Sequence, residues 1–97
     1  APCLVVAVLD DAPRGTIPTA EKLVSLGCAV QNMLTAAQAL GYASGLAGGA
    51  AMDSAGMRDL LRLAPHEQAI CFVAFGTSMA ARPARERPRP EEFVSSL

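Results

Sequence analysis

Tryptophan is absent from this sequence, histidine occurs once (His66), and only four aromatic residues are present, Tyr42, Phe72, Phe75 and Phe93. Bulky rings therefore supply little of the core, and an Ala-rich chain of this kind has to pack through close helix contacts. Three cysteines, Cys3, Cys28 and Cys71, contain no Cys-x-x-Cys pair, so neither a metal site nor a disulfide framework follows. All three sit in apolar runs and are expected as buried thiols in a reducing, cytoplasmic setting. No stretch reaches the roughly 20 apolar residues that span a bilayer, so no membrane partner is expected. The first apolar run, residues 3–9, is short and meets Asp10-Asp11, unlike a secretory leader. A net charge of −1 withholds the basic field that nucleic acids attract, and nucleic acid is excluded as a partner.

Side-chain catalysis is equally poorly supplied. No serine occupies a Gly-x-Ser-x-Gly elbow, and no cysteine is spaced with His66 and an acid as a nucleophilic triad requires. The adjacent pairs Asp10-Asp11 and Glu91-Glu92 diverge along the chain and read as solvated ends, and lone His66 reads as a surface residue in a turn. A phosphate-gripping Gly-x-x-x-x-Gly-Lys loop is missing. No residue is assigned a catalytic role, and any enzyme built on this chain must take its chemistry from a cofactor.

What is present is apolar patterning. With 52% hydrophobic residues, the 97-residue chain suffices for one domain that removes roughly 60–65% of its extended surface from water, a marginal core that gains from a ligand or partner. The run Cys3-Leu4-Val5-Val6-Ala7-Val8-Leu9 predicts a strand covered on both faces, and its full strength at the very start suggests the back half of a longer chain. After a Pro/Gly/Asp connection over residues 10–18, Thr19 is expected to cap a helix over residues 21–40. That helix carries Leu23, Leu26, Val30, Met33, Ala37 and Leu40 at alternating steps of three and four. Small Gly27, Ala29, Ala36 and Ala39 widen its buried surface, as in a central core helix or a subunit-interface helix.

Residues 41–50 hold four glycines and three alanines and read as a small-residue loop, able to bring backbone amides close to a flat or anionic ligand or simply to turn the chain. Asp53 or Ser54 is expected to cap a shorter helix bearing Met57, Leu60, Leu61 and Leu63 and closed by Ala64-Pro65. A polar turn, His66-Glu67-Gln68, then leads to a second buried strand over residues 69–75, stopped by Gly76-Thr77. Four of the eight basic residues, Arg82, Arg85, Arg87 and Arg89, fall in the last sixteen positions among Pro83, Pro88 and Pro90, as in a solvated arm or an anion-gripping segment. The apolar pair Phe93-Val94 is expected to dock.

Taken in order, Ala1-Pro2 and its strand, Gly27-Cys28-Ala29-Val30-Gln31-Asn32-Met33-Leu34, Ala36-Ala37-Gln38-Ala39-Leu40-Gly41, the Gly-rich loop, Leu60 to Leu63 with Glu67, Phe72-Val73-Ala74-Phe75-Gly76-Thr77 and Arg87-Pro88-Arg89-Pro90 form a set. The set resembles the C-terminal half of the FMN-dependent nitroreductase family, and within it the compact NAD(P)H nitroreductase subgroup. The resemblance implies an α+β nitroreductase-like fold, its C-terminal half, with a long central or interface helix and two core strands. It implies one domain over residues 1–97, the C-terminal part of a longer chain, with residues 80–97 as an extended arm.

By the same resemblance the chain forms a homodimer that binds FMN at the subunit interface. NAD(P)H serves as cosubstrate, and a nitroaromatic, quinone or similar small-molecule acceptor is reduced in a two-step exchange. The resemblance places Leu46, Ala47 and Gly48 beside the flavin ring and sets Arg87 and Arg89 toward its phosphate. Ala47 stands where relatives carry a polar or charged side chain, which leaves backbone donation around Gly48, and the family's N-terminal Arg-Arg-Ser-type segment has no counterpart. A noncatalytic nitroreductase-like module that binds a nucleotide or dimerises is the alternative reading. A structural α/β fragment whose Gly-rich loop is only a turn is the third.

Overall fold

A computed structural model describes residues 2–13, 15–80 and 82–97, so of the opening Ala1-Pro2 pair only Pro2 is described, and Ala81 of the arm lies outside. The elements run β1 (Cys3–Asp10), α1 (Thr19–Ala39), β2 (Ala43–Ala47), a 3-10 turn (Ala50–Asp53), α2 (Ala55–Leu61), β3 (Glu67–Gly76) and a last 3-10 turn (Pro90–Glu92). The three strands form one antiparallel sheet in the order β1-β3-β2.

The sheet is built around β3. Its β-branched and aromatic residues suit a pleated, paired surface, and Cys3 through Ala7 of β1 lie opposite Phe75 through Cys71. The register then slips, since Val8 faces Ala69, which leaves Ile70 as an extra residue on β3. Alternation sends Val5, Ala7, Cys71, Val73 and Phe75 toward α1, where they meet Leu26, Val30 and Leu34. Val73 is fully buried at 0% exposure, and such burial contributes about 1.5–3 kcal/mol.

The opposite face of the sheet corrects the expectation of a strand covered on both sides. Leu4 is 58% exposed, and Val6, Phe72 and Ala74 on the same face are only half-buried. Helix α1 behaves in the same one-sided way. Leu26, Val30, Met33 and Ala37 from the middle of its seam are buried or half-buried, but Leu23, Leu40 and the small Gly27, Ala29, Ala36 and Ala39 are exposed. One stripe of the helix meets the sheet, and its remaining neighbours are not supplied by the described residues.

Both helix entries are fixed by local chemistry. At the start of α1, Pro18 takes the capping position and its carbonyl accepts from the amides of Glu21 and Lys22 at 3.1 and 3.2 Å. Thr19, expected there, is instead the first helical residue, because its hydroxyl is committed to the Asp11 carboxylate at 2.9 and 3.0 Å. Ser54 does cap α2, accepting from the Met57 amide at 3.1 Å. That helix stops at Arg62, held in the left-handed region at φ 52°, and not at Ala64-Pro65. Arg58 then donates to the carbonyls of Glu67 and Ala64 at 2.8 and 2.9 Å, which pins the turn so that Glu67 and Gln68 enter β3 and leave the expected polar turn.

Residues 41–50 are also revised. Gly41, at φ +87°, reverses the chain after α1 while the amides of Gly41 and Tyr42 donate to the carbonyls of Gln38 and Ala37. The next five residues are not loop but strand β2, a third strand where two were expected. Gly and Ala are poor strand formers, yet pairing with apolar β3 satisfies their backbone groups, and this tertiary gain overrides the propensity.

Beyond Thr77 the chain leaves the body. Its Cα radius of gyration, 16.5 Å, exceeds the about 12.5 Å of a compact domain of this length. Phe93 and Val94 are 69% and 62% exposed and do not dock on this chain. The buried-thiol expectation fails as well, since Cys3 and Cys28 are exposed and Cys71 is half-buried.

Candidate functional site

The end of β2 delivers the candidate residues in sequence. Ala47 pairs with Phe72, Leu46 pairs with Val73, and Gly48 follows at the point where the chain leaves the sheet. Leu46 lines an apolar cavity of ≈ 300 Å³ with Leu26, Val30, Leu34 and Ile70, between the sheet and α1. Directly after Gly48, Gly49 adopts φ 123° and ψ −163°, a region open essentially to glycine alone, and turns the chain into the 3-10 turn whose Met52 is buried.

The glycines here divide into two kinds. Gly41 and Gly49 are required by backbone conformation. Gly45 and Gly48 are not. A Cβ at Gly45 would meet nothing within 4 Å, and one at Gly48 would sit 3.7 Å from the Ile70 carbonyl oxygen and from Met52 Cγ, and 3.9 Å from Cys71 Cβ, all ordinary contacts. The described fold would accept alanine at both, so it does not explain why their backbone is left bare.

Arg87 and Arg89 lie elsewhere. They line a cleft of ≈ 620 Å³ within the arm, together with Glu86, Pro88 and Glu92, and share no lining residue with the cavity at Leu46. The Arg89 amide donates to Glu92 Oε2 at 3.2 Å while the Glu92 amide donates to the Arg89 carbonyl at 2.9 Å, which shapes the turn. Two guanidiniums and two carboxylates in one cleft sum to no net charge, so the arm by itself is not a preformed phosphate grip. Neither guanidinium is ion-paired among the described residues.

The remaining polar groups are structural. Asp11 accepts from Thr19 and Lys22, and these hydrogen bonds hold its carboxyl below the usual value. Lys22 Nζ also donates to the Ala12 carbonyl at 3.1 Å, which ties the loop to α1. The side chain of Asp10 accepts from the Ala12 amide, and His66 Nε2 lies 3.6 Å from it at the surface. Asp10 and Asp11 thus serve different partners and form no two-carboxylate site. Among the described residues no cluster of His, Cys, Asp and Glu fits a metal ion, and no helix is long and apolar enough to cross a membrane.

A long helix laid on an antiparallel sheet of three strands defines an α+β protein. Residues 1–77 match the family model described as Nitroreductase family, and the chain belongs to that family. Its fold is nitroreductase-like. It is similar to the crystal structure of a nitroreductase-like family protein from Bacillus cereus, with a TM-score of 0.86 and 16% identity. That similarity covers 97% of this chain and 50% of the Bacillus cereus chain, so this chain spans about half the length of that structure. No curated protein matches it in sequence. The family match ends at Thr77, where the body ends, and leaves the arginine-rich arm outside.

Proposed function

We propose that this chain is the C-terminal part of an FMN-dependent oxidoreductase in which NAD(P)H is the cosubstrate and a nitroaromatic, quinone or similar small molecule the acceptor. One nitroreductase-like domain spans residues 1–97, with residues 80–97 as its arm. The single observation that carries the reading is the Gly48 turn in a chain of this family: the backbone is bare where the fold does not demand it. Leu46, Ala47 and Gly48 would lie along the isoalloxazine ring, Gly48 through its peptide group and Leu46 through its exposed apolar side chain. When bound, FMN supplies the hydride and electron chemistry that no side chain of this chain can perform.

Two copies of the chain are proposed to pair through α1. The helix is 21 residues long and keeps Val24 and Cys28 exposed on the side away from the sheet, which leaves that side open to a second helix. Arg87 and Arg89 are proposed to meet the FMN phosphate only where the arm lies against a second surface, since their own cleft is neutral.

Flavin binding tests the reading. The chain purified with its full natural reading frame should carry a yellow chromophore, or be reconstituted by FMN, and should turn over a quinone with NADPH. G48A, whose added methyl meets only ordinary contacts within the chain, should weaken FMN binding while the far-ultraviolet circular dichroism is retained. A colourless protein that FMN cannot reconstitute overturns the proposal. In that case the second reading, a noncatalytic dimerising module, is favoured by Ala47 and by the neutral cleft of the arm.

A further inference from the structure

We draw no further inference here: the strongest candidate, the outward face of the sheet where small Ala43, Gly45 and Ala47 on β2 lie beside Ala74 and Phe72 and, beyond them, exposed Leu4, is an apolar face for which nothing in the structure shows what covers it.

Discussion

The body of the molecule, up to Thr77, and the arm beyond it obey different physics. Apolar residues at strand and helix spacing converge in the body on fully buried Val73, with Ala7 and Val30 packed beside it. The arm has a comparable supply of apolar side chains at its tip, Phe93, Val94 and Leu97, yet all three are exposed. Prolines at 83, 88 and 90 remove amide donors and fix φ, so the arm gains one short turn from Glu92 and no ladder. Hydrophobicity folds a segment only when its period brings the apolar groups onto one surface.

The sharpest way to break this contrast is in the body. V73D would place a carboxylate at a fully buried side-chain site and cost more than about 4 kcal/mol, enough to abolish the cooperative urea transition followed by circular dichroism. G49A should cost about 1–3 kcal/mol, because φ 123° with ψ −163° excludes a Cβ, while G48A should shift the same transition by under about 0.5 kcal/mol. Equal losses at the two positions would remove the distinction between imposed and free glycines. S54A, which deprives the Met57 amide of its acceptor, should cost about 1 kcal/mol.

Acid provides a milder test. The lowered Asp11 carboxyl contributes stability above the ordinary carboxylate range, and that contribution is lost as pH falls through its lowered value. The urea midpoint should therefore fall on acidification, and D11N should remove part of that dependence; an unchanged pH profile in D11N would show that the clasp with Thr19 and Lys22 carries nothing. The smallest effect is expected from the arm. Removal of residues 78–97 should change body stability by less than about 0.5 kcal/mol, and a loss above about 1 kcal/mol would mean that the arm docks on the body in solution.

Much of the body was legible because its signals are local. The run from Cys3 to Leu9 reads as a strand, the three-four spacing through Val30 as a helix, and Asp53 or Ser54 as a cap, of which the fold takes Ser54, each from chemistry within a few residues. Strand β2 was hidden, since Ala, Ser and Gly carry a turn signal, and only the exposed edge of β3 makes them a strand. Thr19 was misplaced for a similar reason: its hydroxyl answers to Asp11, eight residues away, a partner that no helix-capping rule contains. At the candidate site, Leu46, Ala47 and Gly48 are proposed through the family resemblance, whereas the buried Met52 and half-buried Ile70 beside Gly48 emerge only from the fold.

Composition and periodicity alone determined a long helix, a strand at each of the two apolar runs, residues 3–9 and 69–75, and a Pro/Arg-rich segment after them. Those are short-range facts, set by which side chains follow one another. Tertiary structure decided which glycines are obligatory, that a small-residue segment becomes the third strand, that the arm's arginines share their cleft with glutamates, and that sheet and helix are each covered on one side. These depend on residues brought together across the fold, where backbone pairing and steric room outweigh local preference.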